Sequence, residues 1–109
     1  MLVNVGDKVH YMRRRLFKEQ PKRHHIGEVV ATEDGVMRVR SVLFMGSQMS
    51  GQFTRMGDFA DRFAMLVDSL TLVTVLPADF DVASGTLLVE QGVVSVTDGR
   101  HKLVVDQIS

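Results

Sequence analysis

The sequence of 109 residues contains no cysteine, no tryptophan, only two prolines and no apolar run long enough to cross a membrane. Without cysteine, a disulfide framework or a thiolate metal centre is excluded. The longest nearly apolar stretch, Leu70–Leu76, is far shorter than the roughly 20 residues of a transmembrane helix. The opening residues, MLVNVGDKVHYM, lack the basic start and apolar run of a signal peptide. We therefore expect a soluble, cytoplasmic protein with no membrane partner.

The length predicts a single domain that covers residues 1–109, because domains commonly contain about 100–150 residues. Hydrophobic residues make up 45% of the chain. A domain of this size buries roughly 65% of the surface of its unfolded chain. It is therefore expected to fold without a structural metal or a cofactor.

Short β-strands separated by turns are the dominant pattern. Asp34-Gly35 and Asp98-Gly99 each lie between runs of β-branched residues, where an Asp-Gly pair predicts a two-residue type I′ turn with φ > 0 at both positions. Further strands are predicted near Val9–Met12, Leu70–Leu76 and Thr86–Glu90. The sequence thus predicts about seven short strands, which is typical of a small antiparallel barrel or sandwich.

One segment departs from the strand pattern. Phe59, Phe63, Leu66 and Val67 have helical spacing after a potential N-cap at Asp58, which predicts one short helix over residues 58–67. The preceding Met-, Gly- and Ser-rich residues 45–57 are predicted to form a long loop. In the alternative, the third strand continues into this segment and the helix does not form.

The predicted core combines apolar residues of the strands and of this helix. Its members are Val9, Ile26, Val29, Val39, Leu43, Phe59, Phe63, Val67, Leu72, Val89, Val94, Val96, Leu103 and Val105. The strand Leu70–Leu76 is apolar on both faces, so it needs a cover on both sides, which either the helix or a second subunit could supply. For this reason we expect a homo-oligomer.

The N-terminal third resembles the opening of an SH3-like barrel of the KOW type, a module of transcription and translation proteins. In VGDKV and IGEVVATEDGVMRVR, a GD-x-V strand entry precedes a G-x-V…V-x-V hairpin. The matching positions are Gly6, Asp7, Val9, Gly27, Val29, Val39 and Val42. The resemblance spans residues 5–43 and implies a barrel that binds RNA, DNA or protein through the loop after the first strand. About 65 further residues make this chain at best an elaborated relative.

The same loop carries the strongest charge asymmetry of the chain. Between Lys8 and Arg23 there are seven basic residues and one acid, Glu19, a net charge of +6 in a chain whose formal net charge is zero. Such a local field is typical of a binding surface. The candidate nucleic-acid or partner-binding residues are the cations Arg13, Arg14, Arg15, Lys18, Lys22 and Arg23 and the aromatic residues Tyr11 and Phe17, which could stack on bases.

No catalytic motif, glycine-rich phosphate loop or set of metal ligands accompanies this segment, so we expect neither an enzyme nor a metal protein. His24 and His25 are adjacent, and adjacent strand residues point to opposite faces. Two hypotheses for function therefore stay open. One is a non-enzymatic β-barrel module that binds nucleic acid, RNA or single strands, through the basic loop. The other is an assembly subunit of a homo-oligomer or larger complex, for example of a virion, in which the loop contacts protein.

Overall fold

Antiparallel hairpins build most of the fold. The computed structural model describes residues 2–15, 17, 20–46, 52–67 and 70–107. The strands are β1 (Lys8–Arg13), β2 (Lys22–Glu33), β3 (Val36–Gly46), β4 (Phe53–Met65), β5 (Thr71–Val75), β6 (Thr86–Glu90), β7 (Val93–Thr97) and β8 (Lys102–Gln107), and Val82–Ser84 forms a turn of 3₁₀ helix. The all-β, antiparallel class predicted from the sequence is confirmed. Within the described ranges, no helix has the length and apolar character needed to span a bilayer.

The strands form two sheets. The larger sheet has the order β4-β3-β2-β1-β5, and the smaller one has the order β6-β7-β8. All the paired strands are antiparallel, and bulges interrupt the registers of β2 with β3, β3 with β4 and β7 with β8. β4 and β5 are the edges of the larger sheet, which leaves one side of each without a strand partner in the described chain.

The two Asp-Gly hairpins form, but with different turns. Asp34 and Gly35 have φ of 48° and 78°, as the predicted type I′ turn requires. The second hairpin has a longer loop, in which the Asp98 carboxylate accepts hydrogen bonds from the backbone N–H groups of Arg100 and His101 at 2.9 and 2.7 Å. The type I′ prediction is therefore wrong at Asp98-Gly99. The pair with φ > 0 at both residues is Gln91-Gly92 instead.

The helix predicted over residues 58–67 is wrong. Residues 58–65 belong to β4, which pairs with β3 from Val36↔Met65 to Gly46↔Phe53. An isolated helix of ten residues is marginal, and pairing with the long strand β3 satisfies the same backbone groups. The alternative, in which the third strand continues into this segment and the helix does not form, is confirmed as regards the helix, but β3 ends at Gly46, only two residues into the segment. Residues 53–57, predicted to lie in a long loop, belong to β4, and residues 47–51 lie outside the described residues.

The core consists of two clusters on opposite faces of the larger sheet. On one face Val9, Tyr11, Val29 and Val39 are buried with residues of the N-terminal segment and β4. On the other face Ile26, Val42, Phe44, Leu76, Phe80 and Val96 join the two sheets. Phe63 and Val67, assigned to the core on the helical pattern, are 72% and 70% exposed, and Leu72 is also exposed. These three core assignments are wrong because the first two depended on the helix and the third lies on an edge strand.

Gly27 is required by close packing of β2 on β3. A Cβ atom at this position would lie 2.3 Å from the Arg40 carbonyl oxygen and 2.7 Å from the Ser41 Cα atom. Contacts this short need a backbone shift. The glycine that opens the predicted hairpin therefore has a steric role in the fold.

Candidate nucleic-acid interface

Hydrogen bonds within the loop between β1 and β2, and one to Leu70, hold this loop in place. The Arg14 N–H donates to the Leu70 carbonyl at 2.7 Å, which ties the end of β1 to the start of β5. Within the loop, the Gln20 N–H donates to the Phe17 carbonyl at 3.1 Å, and Arg15 Nη1 donates to the Gln20 carbonyl at 3.3 Å. The described part of the loop contains no helix, and Pro21 lacks the backbone N–H that a helix interior requires.

Four arginines of this segment line a single cleft of about 220 Å³. Its described lining residues are Arg13, Arg14, Arg15, Gln20, Pro21 and Arg23. We call this the arginine cleft. None of its described lining residues is acidic, and the side chains of Arg13, Arg14 and Arg23 are exposed. The cleft therefore brings four arginine residues together at one place.

Phe17 and Lys22, which were also predicted to bind, lie in different environments. Phe17 is 64% exposed on the same loop, so its ring is accessible to a ligand. Lys22 lies on the opposite face of β2 from Arg23, and its Nζ donates to Asp106 Oδ2 and to the Gln107 carbonyl, each at 2.8 Å. That lysine therefore joins the two sheets and does not line the cleft. Lys18 lies outside the described residues.

Tyr11 is not accessible for stacking on a base. The ring is 5% exposed, its hydroxyl lies 3.0 Å from Ser41 Oγ, and it stacks on the His25 ring at 4.5 Å between centroids. Burial raises the pKa of this hydroxyl. The binding role predicted for Tyr11 is therefore wrong, because alternation in β1 turns this ring into the core.

A fifth arginine, which the sequence did not suggest, reaches the same face from β4. Arg62 Nη1 donates to the Ser41 carbonyl and lies 3.4 Å from Ser41 Oγ. Burial, together with the charges of Arg62, His24 and Arg23, lowers the pKa of His25 to about 4. Of the described residues that line the arginine cleft, Arg23 is the one whose charge acts on His25. Only the pairing of β4 with β3, which the helical pattern concealed, brings Arg62 here.

His10 and His24 form a buried pair on the other face, against the smaller sheet. His10 Nε2 and His24 Nδ1 share a hydrogen bond of 2.8 Å, and His24 Nε2 lies 3.7 Å from Asp106 Oδ2. The rings of His24 and His25 thus lie on opposite faces of β2, as predicted. In the described part of the chain, no three or more histidine or carboxylate side chains converge as metal ligands would.

Comparison of the chain with protein-family models, with curated proteins and with solved structures gives no match.

Proposed function

We propose that this chain is a non-enzymatic module that binds nucleic acid, either RNA or single strands, through the arginine cleft. The observation that carries the proposal is the convergence of Arg13, Arg14, Arg15 and Arg23 on one cleft at the end of the larger sheet. The resemblance of residues 5–43 to KOW-type modules, which use the loop after the first strand, adds to it. We propose a cytoplasmic location for this activity.

Phosphate oxygens suit the chemistry of the cleft. A guanidinium group stays charged and can bind two phosphate oxygens with parallel hydrogen bonds. The exposed ring of Phe17 can stack on an unpaired base, whereas bases of a duplex are already stacked on each other. This combination of cations and an exposed ring favours a single strand over a duplex.

Replacing Arg13, Arg14 and Arg15 together by alanine is expected to weaken binding of a single-stranded oligonucleotide and to flatten its dependence on salt. Each lost phosphate contact removes about 0.7 from the slope of log affinity against log salt, so three lost contacts remove about 2. Fluorescence anisotropy at several salt concentrations measures the slope. The exposed Arg38, which lies outside the cleft, provides the control variant Arg38→Ala. A triple variant that binds like the wild type would contradict the proposal.

The second candidate function, an assembly subunit, is favoured by the exposed apolar residues of the edge strands. On β5, Leu72 and Val75 are 51% and 49% exposed, and on β4 Phe63 and Met65 are exposed. A strand edge with such side chains can pair with another chain. The helix that was expected to cover β5 does not form, which leaves a second subunit as the proposed cover.

The assembly hypothesis predicts that the protein has the mass of an oligomer at micromolar concentration. Substituting Leu72→Ser is expected to shift the mass towards that of the 12.2 kDa monomer, because it removes apolar area from the proposed contact. Light scattering of both proteins measures this directly. A wild type that is monomeric across the micromolar range would exclude this candidate and leave nucleic-acid binding untouched.

A further inference from the structure

The outer side of β5 presents backbone groups for which the described chain supplies no strand. β5 pairs with β1 in a regular antiparallel register, and the Leu76 N–H donates to the Lys8 carbonyl at 2.7 Å. In an antiparallel pair, successive residues point their N–H and C=O groups alternately towards the partner strand and away from it. Because the groups of Leu76 point towards β1, those of Val73 and Val75 point outward, where no strand of the described chain lies beside β5.

β5 lacks the features by which an edge strand avoids pairing with another chain, namely charged side chains, prolines and bulges. The charged side chains of β4, the other edge of the larger sheet, are Arg55, Asp58, Asp61 and Arg62. β5 consists of two threonines, two valines and one leucine. The sequence between Asp68 and Asp79 contains no charged residue. Of these two edges, β5 is therefore the one open to pairing.

A second copy of the chain is complementary to this edge. A two-fold axis perpendicular to the sheet pairs β5 with its own copy in antiparallel orientation. The start of β5, where the exposed Arg14 donates its N–H to Leu70, then faces the end of the other β5, which leads to the exposed Asp79. Ends of opposite charge are thus brought together, whereas a parallel pair would place two arginine-rich ends side by side.

We propose that two copies of this chain join their five-stranded sheets through β5 into one continuous antiparallel sheet, with Thr74 on the two-fold axis. In this register Val73 of each copy lies opposite Val75 of the other, and each such pair exchanges two backbone hydrogen bonds. Thr71, which already has an interaction within the chain, lies opposite Pro77, which has no N–H to donate. The inference rests on the second candidate function, the assembly subunit, and specifies its surface and register.

A single cysteine at the proposed axis tests the register, because the chain has no cysteine of its own. Thr74 would lie opposite its own copy in a pair without backbone hydrogen bonds, where Cα atoms about 4.5 Å apart allow a disulfide. Under mild oxidation at micromolar concentration, Thr74→Cys is expected to form a disulfide-linked dimer at least about ten times faster than Thr54→Cys. Thr54, exposed on β4, is the matched control. Non-reducing gel electrophoresis measures the species of twice 12.2 kDa.

Substituting Val75→Pro tests the same contact in a chain that still has no cysteine. Since the Val75 N–H points away from β1, proline at this position removes a donor of the proposed contact and no hydrogen bond to β1. The mass from light scattering is expected to fall to that of the monomer. The far-UV circular dichroism spectrum is expected to stay like that of the wild type.

The outcomes separate this inference from the assembly hypothesis. If the wild type is oligomeric but Thr74→Cys cross-links no faster than Thr54→Cys, pairing through β5 is overturned while assembly stands. A Val75→Pro variant that folds like the wild type and keeps its oligomer mass overturns the pairing in the same way. A monomeric wild type whose Thr74→Cys variant does not cross-link overturns both, and leaves an extended segment of another protein as the occupant of this edge.

Discussion

Acidification from pH 6.5 to about 4 is expected to unfold this protein cooperatively. Burial, together with the charges of the neighbouring His24 and His25, lowers the pKa of His10 to about 3. Burial also lowers the pKa of His24 and of His25 to about 4. In the unfolded chain these three side chains titrate near their usual value of 6.5.

The direction of the effect follows from the number of bound protons. Between pH 6.5 and about 4 the unfolded chain binds protons at these histidines that the folded chain excludes, so the free energy of unfolding falls as the pH falls. Each histidine lowers the free energy of unfolding by about 1.4 kcal/mol per pH unit, over the range between its pKa in the unfolded chain and its pKa in the folded chain. Together the three histidines lower the free energy of unfolding by an amount on the order of 5–10 kcal/mol. The total free energy of unfolding of a domain is about 5–15 kcal/mol, so this loss is comparable to it. Below about pH 3, the folded chain is also protonated at all three positions and this loss stops growing.

Far-UV circular dichroism across this pH range measures the transition. The double variant His10→Leu, His24→Leu replaces both members of the hydrogen-bonded pair by apolar residues, which can be close to neutral for stability. It should unfold at a lower pH than the wild type, by about half a pH unit or more, because only His25 then remains of the three. His101→Gln, in the β7–β8 hairpin, is the matched control. An identical midpoint for the double variant and the wild type would contradict this account.

Replacing Phe80 by alanine is expected to lower the free energy of unfolding by about 3–5 kcal/mol. The Phe80 ring is fully buried between the two sheets, in the cluster that contains Ile26, Phe44, Leu76 and Val96. Its removal leaves a cavity at the place where the smaller sheet attaches to the larger one. Urea denaturation followed by circular dichroism measures the loss.

Phe63→Ala is the matched control, because it makes the same change on an exposed strand position. Its expected effect is within about 0.5 kcal/mol. The pair of variants also separates the observed strand from the predicted helix, in which Phe63 faced the core. Equal losses for Phe80→Ala and Phe63→Ala would contradict the packing described above.

Local turn chemistry made much of the fold predictable. Asp34-Gly35 predicted the β2–β3 hairpin and its turn type, because few residue pairs tolerate φ > 0 at two successive positions. Period-2 patterns placed Ile26, Val94 and Val96 in the core correctly. Residues 58–67 were misassigned because Phe59 and Phe63, four residues apart, satisfy the helical period and the strand period alike. Pairing with β3, which depends on distant residues, decided between them.

The candidate site was predictable in charge but not in geometry. The run of cations identified the loop, yet nothing local distinguishes Lys22, which pairs with Asp106, from Arg23, which lines the cleft. Tyr11 was assigned to binding because it lies near the arginines in sequence, but strand alternation buries its ring. Phe80 was missed because two aspartates flank it, a pattern typical of an exposed turn.

Binding of a single-stranded oligonucleotide to the wild type over a series of salt concentrations tests the central claim most directly. If the four arginines of the cleft contact phosphates, the slope of log affinity against log salt should be about −3, with dissociation constants of roughly 10⁻⁴–10⁻⁶ M near physiological salt. Absence of binding at low salt, or an affinity that does not change with salt, would contradict the assignment of the arginine cleft to nucleic acid.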